Sequence, residues 1–501
     1  GEAVIDSRDL PLYRPYLQEI KPLVQKIRTK SKWLNAVSVE VSAEQLEALR
    51  KLPFVKEIRP VMCFRRNGPE VNEDKSVNTK ITAAANQSNI NLDYGASLDQ
   101  AAIINVPILH EQGYYGQGVL ICLLDDGFNL LNHHITFDSL DVLATWDFIN
   151  DDESVDDSEF EASEGTHGTK TLSTIGGYTP GQLIGAAFKA TYILGKTEVD
   201  ASETPVEEDY WVAGLEWADS LGADVLSSSL GYIDWYTWQD MDGETAVTTV
   251  AADQAVDNGL LLLNSAGNEG YNADHNTLIA PADGNNVLAI AAVTSSGDRA
   301  SFSSVGPSAD GRIKPDLAAM GSSCYTASSY DSTGFVYASG TSFSCPTAAG
   351  AAALLLCAHP ELTPFQIHDA LRQTASQANA PDNLLGWGII DIAGALDYID
   401  AASTMISGQG QTPQTITLFQ NYPNPFNPRT SIRYQVSDAA WVNLSVYNML
   451  GQKLATLVSK RQPAGTHRVA WNASRFASGV YYYNLTVNGR YIQTKKMILI
   501  Q

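Results

Sequence analysis

Val119-Leu120-Ile121-Cys122-Leu123-Leu124 is an unbroken apolar run that ends on Asp125-Asp126-Gly127. A short run of this kind, closed by a turn dipeptide, reads as a strand buried on both faces. Similar runs recur at residues 190–196, 225–229, 260–264 and 287–293, and residues 210–221 and 245–258 between them have helical length. Strands alternating with helices predict a parallel α/β sheet. In such sheets chemistry gathers at the carboxyl ends of the strands. Asp125 lies at one of those ends.

The whole chain has 501 residues, of which 44% are hydrophobic and 18% charged. At roughly 150 residues per domain this predicts two to four folded modules. The net charge is -24 but unevenly spread. Residues 1–75 carry 14 basic and 11 acidic side chains (+3), residues 76–408 carry 8 and 44 (-36), and residues 409–501 carry 10 and 1 (+9). Such steps mark separate modules and exclude a general nucleic-acid surface. The longest small-and-apolar run, residues 348–358, is far short of the ~20 residues that span a bilayer, so no transmembrane segment is expected. Cys63, Cys122, Cys324, Cys345 and Cys357 lack metal-ligand spacing and read mainly as small buried residues, with at most one unassigned disulfide.

The ends differ from the middle. Residues 15–27 have helical apolar spacing, residues 36–41 alternate like a strand, and Ser42 with Gln45 forms a capping-box start for a helix over 43–52. Residues 55–64 read as a further strand, so residues 1–66 form a small α+β module. A polar segment follows, with 67–97 as the linker. After Ala401 a Gly/Gln/Ser-rich stretch predicts a second linker over 401–415. Residues 416–501 show alternating, aromatic-rich strands at 430–436, 442–448, 466–471, 480–487 and 495–500, which predict an all-β sandwich.

Three further stretches of the middle module carry chemistry. Gly165-Thr166-His167-Gly168-Thr169 sets an imidazole between glycines that let a backbone approach it. Gly340-Thr341-Ser342-Phe343-Ser344-Cys345-Pro346 places a serine at a helix N-terminus, whose N–H groups favour a developing oxyanion. Asn264-Ser265-Ala266-Gly267-Asn268 follows a Leu run and offers a side-chain amide at a strand end. Each alone has an ordinary reading: a turn, a packed histidine, an N-cap, a loop. Together they supply a nucleophile, a base, its orienter and an oxyanion donor, with Asp, His and Ser in that order.

These motifs resemble those of the subtilisin-like serine proteases, the subtilases, over about residues 98–400. Phe302-Ser303-Ser304-Val305-Gly306-Pro307 and Asp310-Gly311-Arg312-Ile313-Lys314-Pro315-Asp316 add to the match. The resemblance implies an α/β catalytic domain with a subtilisin-like parallel sheet, between an α+β propeptide and an immunoglobulin-like sandwich. It implies that Ser342 attacks the scissile carbonyl, His167 carries the proton, Asp125 fixes the imidazole and Asn268 binds the oxyanion. Ser229, Leu230 and Gly231 would pair with an extended peptide. With Ser265, Ala266 and Gly267 they would wall a pocket roomy enough for a large apolar side chain, subject to neighbouring loops. Two positions depart from the family: Asp126 stands where Ser or Thr is usual, and Phe343-Ser344 where Met-Ala is usual. The extra carboxylate beside Asp125 is expected to influence the imidazole.

No cofactor is expected for the chemistry. A structural calcium ion is the resemblance's candidate ligand for the acidic run 147–164, which holds 9 carboxylates in 18 residues; a solvated acidic loop is the simpler reading. Residues 1–66 resemble the subtilase propeptide, an intramolecular inhibitor released by cleavage within 67–97. Residues 416–501 resemble the sorting domain of type IX secretion cargo, through Asn421-Tyr422-Pro423-Asn424-Pro425-Phe426-Asn427-Pro428, Gly479-Val480-Tyr481-Tyr482-Tyr483 and Lys495-Lys496-Met497. The expected protein is thus a zymogen, secreted or at the surface of a Gram-negative cell, acting on proteins or peptides. The competing expectation is a catalytically silent surface binding protein on the same fold. A hydrolase of the Gly-x-Ser-x-Gly type is excluded, since Ser344 occupies the last position of that motif.

Overall fold

The computed structural model describes residues 11–61, 92–156, 165–199, 204–408 and 416–499, the last apart from 420, 422–425, 427, 449–450 and 478. The central sheet has seven parallel strands: β1 (Leu120–Asp125), β2 (Asp141–Asp147), β3 (Thr191–Lys196), β4 (Val225–Ser228), β5 (Leu261–Ser265), β6 (Leu288–Val293) and β7 (Leu317–Met320). Their order across the sheet is β7-β6-β5-β4-β1-β3-β2. From β1 the chain moves to one side of the sheet, then returns to the other through β4. The switch point between β1 and β4 is where such sheets open a crevice. Strands β2 and β7 escape the apolar-run pattern. Edge strand β2 carries Asp, Thr and Trp, and β7 is only four residues long.

Four helices matter to the site: α1 (Thr166–Gly176), α2 (Val206–Leu221), α3 (Val247–Asn258) and α4 (Thr341–Ala358). The apolar α4 is buried along almost its whole length. Among the described helices it alone is long and apolar enough to cross a membrane, and its burial explains that composition as a core helix. The sequence places the helix from 347; the fold begins it six residues earlier, with Ser342 in the first turn. Pro346 sits inside it. A proline has no N–H for the carbonyl four residues back, here that of Ser342. The Ser229 hydroxyl donates to that carbonyl instead, at 2.9 Å.

The N-terminal module is shorter in its helix than its apolar spacing predicts. The helix covers Arg14–Ile20, a 3-10 turn follows at Lys21–Leu23, and Ile27 belongs to a strand, Lys26–Ser31. Pro22 accounts for the break, since it disfavours helical continuation. That strand pairs antiparallel with Ala36–Glu40. Both capping-box bonds between Ser42 and Gln45 form, and they start the helix Ala43–Leu49. Residues 55–61 join no sheet, contrary to the expected strand, and 62–91 with Cys63 lie outside the described residues.

The end of the first expected linker belongs to the folded body. Tyr94 is buried and its hydroxyl donates to His110 Nδ1 at 2.5 Å, while His110 Nε2 donates to Ala186 O at 2.9 Å. Burial lowers the imidazole to about 4, which keeps it neutral and suited to this relay. The second expected linker is likewise shorter: a helix spans Ile392–Gly408 and takes in 401–408. Ala401 and Ala402 favour its continuation, and in the sequence no proline comes before Pro413 to stop it.

The C-terminal unit is two antiparallel sheets. One joins Thr417–Leu418, Arg429–Val436 and Gly465–Asn472; the other joins Lys453–Gln462, Ala440–Tyr447, Gly479–Val487 and Arg490–Leu499. Ile432, Tyr434 and Val436 from the first sheet share a core with Val442, Leu444, Tyr483 and Leu485 from the second. The pattern reading misses two strands: Thr417–Leu418, too short to show alternation, and Lys453–Gln462, whose Lys and Arg mask it. Of the motif starting at Asn421, the described residues include Asn421 and Phe426, both buried. Asn421 N donates to the Tyr483 hydroxyl at 2.7 Å.

Candidate active site

Asp125 closes β1 and His167 opens α1, and the glycines between them set the distance. A Cβ on Gly168 would stand 2.0 Å from Gly127 O and 3.0 Å from the Asp125 Cβ, so only glycine permits the approach. His167 Nδ1 then meets Asp125 Oδ1 at 2.6 Å. The Asp125 side chain is 2% exposed and the imidazole 19%, so the carboxylate is enclosed while the ring reaches the surface. Asp125 Oδ1 also accepts from Asp126 N at 2.9 Å, and Oδ2 from the Thr171 hydroxyl at 2.9 Å. Three donors hold the carboxylate, and the ring must present its Nδ1–H to it, leaving Nε2 as a base.

The Asp126 carboxylate is engaged by the backbone of α1. Its Oδ2 accepts from His167 N at 3.0 Å and its Oδ1 from Gly168 N at 2.7 Å. It caps the first turn of α1, whose own preceding residue, Gly165, has no side chain to do so. Asp125, Asp126 and His167 have ligand atoms within 4.8 Å of one another, a spacing a metal would also tolerate. The bonds just described engage every one of those carboxylate oxygens.

Ser342 is 7% exposed, and its hydroxyl donates to Ser229 O at 3.4 Å. The neighbouring Phe343 ring lies 6.0 Å from the His167 ring and packs with Met320, Cys324 and Ala338. It seats the turn against the imidazole. Thr341 holds Asn268: its backbone N–H and its hydroxyl both donate to Asn268 Oδ1, at 2.9 and 3.0 Å. The amide oxygen is therefore spoken for, and Nδ2 carries the free donors of an exposed side chain. Asn268 Nδ2 and Ser342 N each lie 3.6 Å from the point a Cβ on Gly340 would occupy. Ser342 N is in the first turn of α4, where no intrahelical acceptor exists. Two donors thus flank one spot.

The segment expected to pair with an extended peptide adjoins β5. Asn264 Nδ2 donates to Leu230 O at 3.0 Å, which ties residues 229–231 to β5. Ser228 is in register with Asn264, so residues 229–231 and 265–267 leave the sheet side by side. The side chain of Ser229 is directed to Ser342 O and not outward. Ile279 packs against both Gly231 and Gly267. Thr171, Thr341 and Ile279 touch these groups, and the motif reading gives them no part. Thr171 had a signal, standing one helical turn after His167.

The acidic run offers no ready calcium cradle among its described residues. Asp147 is buried and accepts from Ile149 N, Asn150 N and Asn150 Nδ2 at 2.7, 3.0 and 2.9 Å, with Lys196 Nζ at 3.9 Å. Asp152 Oδ1 accepts from Ser154 N. These carboxylates build a turn, and residues 157–164 lie outside the described residues. The described cysteines, Cys122, Cys324, Cys345 and Cys357, are free thiols. Burial pushes Cys345 up to about 12, so it behaves as an inert packing residue.

A parallel sheet with a carboxylate–imidazole pair at one strand end, and a serine at the head of the core helix, defines a serine hydrolase of the α/β class. The subtilase family model matches residues 116–388, and the chain belongs to that family. The peptidase S8 propeptide domain of Bacteroidota matches residues 2–79, and a secretion system C-terminal sorting domain matches 420–501. Subtilisin NAT of Bacillus subtilis subsp. natto is 30% identical over 351 residues, covering 70% of this chain and 78% of its own. The subtilisin of Bacillus pumilus is 31% identical over 292 residues, 58% of this chain and 96% of its own. A solved MycP3 protease of a type VII secretion system aligns with TM-score 0.49 and 21% identity, over 61% of this chain and 89% of that one. The protein is accordingly a subtilisin-like serine endopeptidase made as a zymogen, secreted or held at the cell surface through type IX secretion.

Proposed function

We propose that Asp125, His167 and Ser342 form the catalytic triad, and that Asn268 with the Ser342 N–H forms the oxyanion hole. The 2.6 Å bond from His167 Nδ1 to Asp125 carries the reading. It fixes the tautomer in which Nε2 takes the Ser342 proton during attack and returns it to the leaving amine. The Ser342 hydroxyl leaves its long bond to Ser229 O and attacks the carbonyl carbon. Its oxygen becomes the ester oxygen of an acyl-enzyme, which water then cleaves by the same proton path. The carbonyl oxygen, negative in the tetrahedral species, is met by Asn268 Nδ2 and Ser342 N. An extended peptide adds along residues 229–231. The test is Asn268→Ala, for which kcat falls about 10²–10³-fold, the loss measured when a subtilisin loses its oxyanion asparagine. KM should barely move, because the donor acts on charge that exists only in the transition state. A fall in kcat/KM owed wholly to KM contradicts the assignment.

We assign inhibition to residues 1–66. Glu216 of α2 accepts from the Ser31 hydroxyl at 2.5 Å, and from Lys32 N and Trp33 N at 3.2 Å each. Lys32 Nζ lies 3.8 Å from Asp219, and Trp33 is buried. The +3 module thus docks its hairpin on an acidic helix of the -36 module. A bond to a charged group is worth about 1.5–3 kcal/mol, and with Glu216 only half-buried, solvent brings the three together to about that much. Glu216→Ala should therefore raise the inhibition constant of the released propeptide about 10–10²-fold; an unchanged constant puts the docking elsewhere. Cleavage that releases the module would fall within residues 67–97.

A further inference from the structure

We propose that Ile279 fills the primary specificity pocket, so that the enzyme cleaves after small residues, namely Gly, Ala and Ser, and rejects Phe, Tyr and Leu. The inference rests on Ser342 being the nucleophile. The side chain preceding the scissile bond must then enter the gap between residues 229–231 and 265–267. Gly231 and Gly267 add no side chain to that gap, yet one side chain spans it. A Cβ on Gly231 would stand 2.1 Å from Ile279 Cδ1 and 2.4 Å from its Cγ1. A Cβ on Gly267 would stand 3.1 Å from Ile279 Cγ2 and 3.3 Å from its Cγ1. The missing side chains on both walls make room for Ile279, not for a substrate.

Ile279 cannot easily swing away. Tyr232 N donates to Ala280 O at 2.9 Å and Ala280 N to Tyr232 O at 3.1 Å, which locks the following residue to the edge segment. Thr277 N donates to Val305 O at 2.9 Å, and its hydroxyl to Gly270 O at 2.6 Å. Leu278 and Ala280 are fully buried on either side, while Ile279 itself is only half-buried. Its Cδ1, Cγ1 and Cγ2 lie against the two glycines, where an entering substrate side chain would have to go. A β-branched residue there is stiff, and overlap with a large side chain has no cheap relief.

The test uses the self-matured enzyme and peptide p-nitroanilides of the form succinyl-Ala-Ala-Pro-Xaa, with Xaa as Ala, Leu or Phe. Active sites are counted by fluorophosphonate labelling, so losses in folding cancel. Wild type should favour Ala over Phe in kcat/KM, and Ile279→Gly should shift that ratio toward Phe by about 10²-fold, with Ile279→Ala between. If the glycine variant does not fold, the alanine variant carries the same expectation in smaller measure. A wild-type preference for Phe or Leu, or a ratio unmoved by either substitution, overturns the inference while a labelled Ser342 leaves the triad standing. A wild-type enzyme that takes no label overturns the triad itself.

Discussion

Ser342→Ala is expected to slow peptide hydrolysis about 10⁶-fold, the scale on which a subtilisin responds to loss of its nucleophile. The loss should appear in kcat with KM close to wild type, since the walls of the cleft are untouched. Folding should be spared. The hydroxyl's own bond to Ser229 O is long at 3.4 Å, and the 2.9 Å bond from the Ser229 hydroxyl reaches a backbone carbonyl that alanine keeps. Some hydrolysis above the uncatalysed rate should survive, because Asn268 Nδ2 and the residue-342 N–H still stabilise an oxyanion formed by water. The variant should also accumulate uncut between residues 67 and 97. A precursor trimmed there with no protease added would disprove self-processing.

Asp125→Ala is the second large effect, about 10⁴-fold in kcat. Its side chain is 2% exposed and takes three donors: Asp126 N, the His167 ring and the Thr171 hydroxyl. Removing it frees the imidazole to turn and strips the negative charge that stabilises the imidazolium during attack. Thr171 has an alternative acceptor in Gly168 O at 3.0 Å, so the helix start should hold. The triad acts as a unit, so Asp125→Ala combined with Ser342→Ala should be no slower than Ser342→Ala alone. Steady-state kinetics on one chromogenic peptide decides both points. Losses that simply multiply would mean that Asp125 acts independently of the serine.

The sequence displayed the sheet and the reacting groups for a common reason. Buried parallel strands such as 119–124 and 260–264 are continuous apolar runs, and each ends on a polar group that the core does not need. Edge strand β2 and the basic strand Lys453–Gln462 were hidden because solvent on one side breaks the pattern. The linker over 401–415 was overextended because composition says nothing of the helix entering it from Ile392. In the site, spacing along the chain revealed Asp125, His167, Ser342 and Asn268. It did not reveal what Asp126 does: its carboxylate was legible as charge, but its role as the cap of α1 depends on a contact 41 residues away. Ile279 was illegible for the same reason. Gly231 and Gly267 read as empty space until the side chain that occupies it is placed between them.

Ser342 as an activated nucleophile is open to direct chemical labelling. Treating the matured wild-type protein with a peptidyl phosphonate and mapping the adduct by peptide mass spectrometry tests it most directly. One adduct per chain is expected, on Ser342, and it should be lost in His167→Ala because the hydroxyl is no longer deprotonated. An adduct on any other residue, or a processed protein that takes none, would contradict it and favour a silent binding protein on a protease fold.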